Sequence, residues 1–492
     1  MDADHANSST VQHMITELDS RVQHRKPKHA NRASFSRVQH MKQIEKGGRS
    51  IFKVPLSIKK LETDAFVPHI VSIGPYHWHK KHLMEMETCK SILLDHVLKR
   101  AGMQLTTLKE KMSELVAATR KHYDQPFKNI KYFVEMMLRD ACFIIELFCI
   151  EAYGWENYGH TSDPYIRLNM KGFMPFVRRD LLMLENQLPL SVLQKMFTVL
   201  DWKKITPNES IHSLAINFFK QLIPGISRHV KNRPPPPPLP PCLHLLDIVH
   251  ESLKPTPSAN NKHWICTHGN CLISSPISLP CFSMTICVQD SDLERVSSDP
   301  PDIVMHSVTS LRSTGIGFKE NKNCEKFTDI QFDHKNGMLL IPRLHINGST
   351  KSIFLNLMVF EQGYSFCSRL YITSYTIFMD GLVDSAKDAQ HLIEKNIIYH
   401  ELGSEDNVAT LFNSFRREIY FKCLPNVCYL YNVSQKLDEH YQQKWRSWIA
   451  TLKHEYLKDP WKTISLIAAA LLILLTITQT AYTVVGYHLP RP

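Results

Sequence analysis

Three histidines crowd one turn of the chain, in GPYHWHKKH at His77, His79 and His82. His-x-His spacing can bring two imidazoles to a zinc ion. No cysteine or carboxylate stands beside them at ligand spacing, so a turn exposing polar histidines is the simpler reading. A second group of possible ligands runs through His263, Cys266, His268, Cys271, Cys281 and Cys287. Zinc sites usually pair cysteines two residues apart, and Cys266 and Cys271 are spaced more loosely, which fits a variable surface insertion better. Asp180 and Glu185 are the one carboxylate pair that could divide acid and base work. Five positions apart on a helix they do not share a face, and no nucleophile accompanies them. Glu185, Asn186 and Gln187 read instead as side chains that satisfy buried backbone where Pro189 interrupts the helix.

Other signatures of catalysis are missing from the sequence. It contains no GxSxG elbow, P-loop, GxGxxG, HExxH or EF-hand loop. Gly315-Ile316-Gly317 lacks a third glycine and a preceding strand, and His454-Glu455 lacks the second histidine. No residue is therefore assigned a catalytic, cofactor-binding or metal-binding role, no cofactor is expected, and the chain reads as a non-enzyme. The alternative is a membrane-bound enzyme of a type these motifs do not cover.

What must position such residues is a mainly helical body. Residues 1–50 form a polar, basic, flexible tail. From Ile51 the chain turns apolar, and Pro55, Pro68 and Pro75 forbid one long helix. Leu83, Met86, Cys89, Ile92, Leu93 and Val97 then recur at three- and four-residue steps, the stripe of an amphipathic helix. LTTLKEKMSELVAATRKHY is a further helix. KYFVEMMLRDACFIIELFCIEAYG is a core helix rather than a second membrane span, because Arg139, Asp140 and Glu146 would be costly in lipid. This N-terminal helical part extends to residue 232. Residues 233–302 hold the run RPPPPPLPP, a stiff polyproline spacer, and an irregular insertion, with CLHLLDIVHESL as a helix between them.

Residues 303–440 form the C-terminal part. SVTSLRSTGIGFKE is expected as a helix, and the alternating residues around Asn336-Gly337 as a small β-hairpin whose two turn positions both accept positive φ. Ser349 and Thr350 cap a helix carrying IFLNLMVFEQ. Three short helices follow, with turns at Gly381 and Gly403.

The last apolar stretch, 463–486, carries no formal charge and exceeds the roughly 20 residues a helix needs to cross a bilayer. Trp445, Trp448, Tyr456 and Trp461 precede it and Tyr482 and Tyr487 close it, as at headgroup levels. The basic, aromatic juxtamembrane segment 441–462 carries Lys444, Arg446, Lys453, Lys458 and Lys462, and only the short tail 487–492 follows. Positive charge stays cytoplasmic, so the expectation is a single-pass protein with a cytosolic N-terminal body, at the plasma membrane. Its partners would be the bilayer and other proteins.

Composition agrees. With 43% hydrophobic residues the chain can bury a core; its net charge of +11 is dispersed and matches no nucleic-acid fold. Twelve scattered cysteines and a start without an apolar h-region fit a reducing compartment. The sequons at Asn7, Asn208, Asn347 and Asn432 read as chance matches in a cytosolic body.

Several blocks together resemble a known family. Val54-Pro55, Pro68, the run Val71 to His77, and Met86, Glu87 and Lys90 are similar to the opening signature of the plant "domain of unknown function 247" family. The resemblance continues at Phe133, Glu135, Met136, Asp140, Phe143 and Glu146. It is most specific at Asp180, Leu184, Glu185, Asn186, Gln187, Pro189, Val192 and Leu193. Leu311, Gly315, Ile316 and Phe318 follow, then Asn356, Leu357, Phe360, Glu361 and Gln362. Ser374, Tyr375, Phe378, Met379, Asp380 and Leu382 come next, and Pro460, Trp461, Thr478, Gln479 and Thr480 end the series. The resemblance implies a plant-specific, mainly helical protein on a single membrane anchor, without known catalytic residues or cofactor. The helix-rich pattern, the stiff proline linker and the basic, aromatic juxtamembrane segment favour an interaction or signalling role; the alternative the resemblance offers is self/non-self recognition, with which some grass members of the family are associated.

Overall fold

The computed structural model describes residues 49–124, 130–154, 164–202, 206, 209–223, 242–256, 305–324, 326–364, 370–418, 428–442 and 460–488. The chain is mainly helical with a small amount of sheet. It divides into two compact units, one of Met1–Lys254 with Ser349–Ile372, the other of Pro255–Gly348 with Thr373–Pro492. The expected tail before residue 49, the proline run, the Cys/His insertion and most of the juxtamembrane segment lie outside the described residues, as do the sequons at Asn7 and Asn208.

In the first unit Pro55 starts α1 (Leu56–Leu61), and α2 (Thr63–Phe66) follows. Residues 67–80 then run without regular structure to a 3-10 turn, Lys81–Leu83, and α3 (Met84–Ala101). The expected stripe on α3 is buried except at Ile92, which is half-buried. The next predicted helix breaks into α4 (Leu105–Ser113) and α5 (Val116–Lys121). The core helix is α6 (Ile130–Tyr153), against which α3, α4, α8 (Leu190–Val199) and α9 (Ile211–Phe219) pack. Every residue of α6 from Ala141 to Ile150 is buried, with Phe148 in ring contact with Phe218 and Phe219 at 5.1 and 6.2 Å. Burying each such side chain is worth about 1.5–3 kcal/mol. The polar residues that argued against a second span find partners: Asp140 meets Lys90, and Glu146 meets Arg100 and the Trp202 indole N–H.

Between α7 (Pro164–Asp180) and α8 the segment 181–189 is not helical, so Glu185, Asn186 and Gln187 sit on an irregular stretch. The helix α10 (Leu245–Ser252) is capped by His244, whose Nδ1 accepts from the Asp247 amide. The later segment that completes this unit is α12 (Thr350–Tyr364). Its Asn356 accepts the Leu184 N–H at 2.8 Å and donates to the Ala65 carbonyl at 2.8 Å.

The second unit corrects three expectations. The predicted helix over SVTSLRSTGIGFKE stops at Ser313: α11 is Val308–Ser313, and Gly317–Glu320 form strand β1. β1 pairs in parallel with β3 (Met338–Ile341), which also pairs antiparallel with β2 (Gln331–Asp333), so the hairpin is part of a mixed three-stranded sheet. The hairpin turn is longer than expected. Asp333 accepts the Lys335 and Asn336 amides, and Gly337 alone takes positive φ, at 61°. A side-chain turn has replaced the tight two-residue one. Of the expected three helices, α13 (Tyr371–Leu382) contains Gly381 within it, and α14 (Ala386–Glu394) and α15 (Glu405–Glu418) flank a strand not foreseen, β5 (Ile398–His400). β5 pairs in parallel with β4 (Leu344–Ile346). Isoleucine and tyrosine give this short stretch its strand preference.

Two helices end the described chain, α16 (Tyr431–Tyr441) and α17 (Pro460–His488). α17 covers the stretch expected to cross a membrane. Among the described residues, however, no helix is long and apolar enough to do so.

Candidate functional site

The signature residues of the first unit converge on the irregular segment 69–74. A backbone with no ladder partners must find side chains for its buried N–H groups. Asp180 Oδ2 takes three of them, from His69, Ile70 and Val71, at 3.0, 2.7 and 3.1 Å. Asn186 accepts the Ile73 amide at 2.6 Å and donates to the Val71 carbonyl at 3.0 Å. Asp140 accepts the Gly74 amide at 2.8 Å. Lys90 donates to the Ser72 carbonyl, to Glu87 at 2.5 Å and to Asp140 at 2.6 Å, and Ser72 Oγ donates to Glu87. Gln187 donates to the Leu181 and Met183 carbonyls and accepts the Leu246 amide.

Burial pushes the Asp140 carboxyl up, and the Lys90 ammonium pulls it back. Burial also raises Asp180, against the three amides that favour its charge. The supposed acid–base pair thus has two separate tasks. Asp180 closes the segment 69–71, while Glu185 accepts the Val54 amide at 2.9 Å and pairs with Lys59 at 2.7 Å.

The three histidines of the turn do not gather into a ligand set. His77 is buried, with Nε2 3.3 Å from Glu185 but without the alignment of a hydrogen bond. Burial holds it below the ordinary imidazole range. Burial also pushes the Glu185 carboxyl up, but its contacts with His77 and Lys59 outweigh that and leave it low. His79 stands exposed with its ring on Trp78, and His82 bonds the Pro68 carbonyl at 3.1 Å.

A cluster the sequence did not flag lies on α10. His250 Nε2 is 2.8 Å from Glu361 Oε1, which also accepts the Ile372 amide at 2.8 Å. His250 Nδ1 is 2.9 Å from the Tyr371 hydroxyl, which reaches Glu251 Oε1 at 3.2 Å. Asp247 lies on the same helix face and accepts the Leu243 amide. All five side chains are buried. The available signal was three polar residues at helical spacing in an otherwise apolar helix, LLDIVHES.

The second unit carries a cleft of about 550 Å³ lined by Met305, His306, Ser307, Asp380, Asp384 and Asn413 among others. Ser307 caps α11 there, and His306 pairs with Asp438 at 2.8 Å while stacking on Tyr441. The serine and the histidine are each bound to other partners, so they do not form a nucleophile–base pair.

These observations define a mainly helical protein in which several buried polar residues hold an irregular backbone segment in place. The family model described as "Plant protein of unknown function", DUF247, matches residues 51–475, and the chain belongs to this family. The UPF0481 protein At3g47200 of Arabidopsis thaliana is 30% identical over 464 residues, covering 90% of this chain and 88% of the relative. The putative UPF0481 protein At3g02645 of the same plant is 23% identical, over 87% of this chain and 89% of the relative. No solved structure matches the chain.

Proposed function

We propose that the chain is a non-catalytic interaction or signalling protein whose helical body is held on the cytosolic face of a membrane, the plasma membrane, by α17. One observation carries this reading. The apolar side chains of α17 face outward on all sides: Ile464, Leu472, Leu475 and Ile477 are 58, 65, 61 and 63% exposed. A helix apolar all round needs a core or a bilayer to cover it, at about 25 cal/mol for each Å² removed from water. The uncharged sequence over 463–486 and the basic residues before it supply the length and the orientation. In the hydrocarbon, the threonines would keep their hydroxyls on their own helix. Thr476, Thr480 and Thr483 already donate to the carbonyls four residues back.

The body's partners would be proteins. Asp180 and Asn186 are engaged in holding backbone, and the body's dispersed positive charge suits a lipid surface better than a nucleic acid. Alkaline carbonate washing of membranes from plant cells expressing the full chain tests the anchor. The intact chain should stay in the pellet, and a chain ending before Thr463 should wash into the supernatant. Loss of the intact chain to the supernatant sinks the reading. Protease added outside sealed, right-side-out vesicles should spare the body if it is cytosolic.

A further inference from the structure

We infer that the face of α10 bearing Asp247, His250 and Glu251 is a binding site for one divalent transition-metal ion. One potential ligand atom from each of the three lies within 4.8 Å of the others, and all three side chains are buried. Their spacing, i, i+3 and i+4, puts them on one helix face. Two observations set the cluster apart from a chance gathering of acids. The first is the carboxylate behind the imidazole. Glu361 holds His250 Nε2 at 2.8 Å and is itself fixed by the Ile372 amide. A carboxylate in that position orients a metal-bound histidine and raises its basicity. This leaves His250 Nδ1 directed toward Glu251 Oε1, 3.8 Å away.

The second observation is the Tyr371 hydroxyl, 2.9 Å from Nδ1 and 3.2 Å from Oε1, which marks the point where the donors converge. It offers a further oxygen there. One imidazole nitrogen with carboxylate and phenol oxygens suits zinc, manganese or ferrous iron rather than a soft ion such as Cu(I). Two carboxylates would balance a dication in a place closed to water. The competing account is that the same groups simply satisfy one another by hydrogen bonds.

Zinc alone is the probe. The full-length chain, purified in detergent and stripped with chelator, is titrated with Zn²⁺ by calorimetry and examined by X-ray absorption. The expected result is one equivalent bound through a nitrogen and oxygen shell at about 2.0–2.1 Å that includes imidazole scattering. The nearly isosteric double variant Asp247→Asn/Glu251→Gln should bind at least 100-fold more weakly. Glu361→Gln should weaken binding by about 10–100-fold, as loss of an outer carboxylate does. Absence of binding, zinc held only through sulfur at about 2.3 Å, or undiminished affinity in the double variant overturns the inference. Should circular dichroism show the double variant unfolded, the absorption spectrum of the unaltered chain decides alone. An imidazole-containing shell without sulfur supports the site, and any other shell refutes it.

Discussion

Lys90 shows how much one buried charge can be asked to do. Its side chain is wholly buried, and its ammonium joins the Ser72 carbonyl, Glu87 and Asp140. Removing one member of such a group leaves the others desolvated and unpaired, at a cost of about 3–5 kcal/mol. Lys90→Met should therefore lower the unfolding free energy by roughly that amount in a urea titration. Adding Asp140→Asn and Glu87→Gln to it should restore part of the loss, because the stranded charges are then gone. The sequence marked Lys90, Asp140, Asp180 and Asn186 as signature positions, and read Asn186 and Gln187 as backbone partners. It did not pair Lys90 with Asp140, because nothing local links positions fifty residues apart. His250 and Glu361 escaped for the same reason, being 111 positions apart.

At the scale of elements, helices with a clear apolar period were legible. The hairpin strands β2 and β3 were legible around Asn336-Gly337, but β1 and β5 were not, because they acquire their identity only from partner strands elsewhere in the chain. The glycine at the end of the segment 69–74 was legible as a bend, yet the segment's shape depends on how closely its backbone approaches residue 187. Gly74 has φ +70°, and a Cβ there would lie 2.7 Å from the Gln187 carbonyl oxygen. Gly74→Ala should cost at least about 2 kcal/mol, combining left-handed strain with that clash, and would be measured by thermal unfolding.

The cap of α10 predicts a pH effect. Burial holds His244 down to about 3, and it stays neutral with Nδ1 accepting from Asp247 N–H and Nε2 facing the Ser50 carbonyl. Its folded value lies below its unfolded value of 6.5. Its contribution is therefore complete above pH 6.5 and is lost as the pH falls toward 3, by up to about 1.4 kcal/mol per pH unit. His244→Asn keeps a capping oxygen but has nothing to titrate. The wild-type stability curve should fall more steeply than that of the variant between pH 6.5 and 4, as urea midpoints across that range will show.

For the molecule as a whole, the membrane reading makes a graded prediction. A cation at the centre of a bilayer costs about 2.5–3.5 kcal/mol. Leu472→Arg combined with Leu475→Arg should release the intact chain from carbonate-washed membranes, whereas Leu472→Ile with Leu475→Ile should leave it bound. Release by the isoleucine pair would point to a specific protein groove as the cover of α17. The uncharged run over 463–486 was legible because it needs no tertiary partner to be recognised, and α17 covers it. The division into units was not, because the segment Ser349–Ile372 belongs with residues that come long before it.

That late segment has a bearing on how the protein is made. Leu184 gives its amide proton to Asn356, 172 positions further on. At about 5–20 residues per second, a ribosome needs roughly 10–35 s to bridge that distance. Throughout that wait the emerging first unit lacks its closing helix and leaves apolar surface open to passing chaperones. The rate of translation between the two positions, as much as any single contact, should govern how much of the newly made chain reaches its finished form.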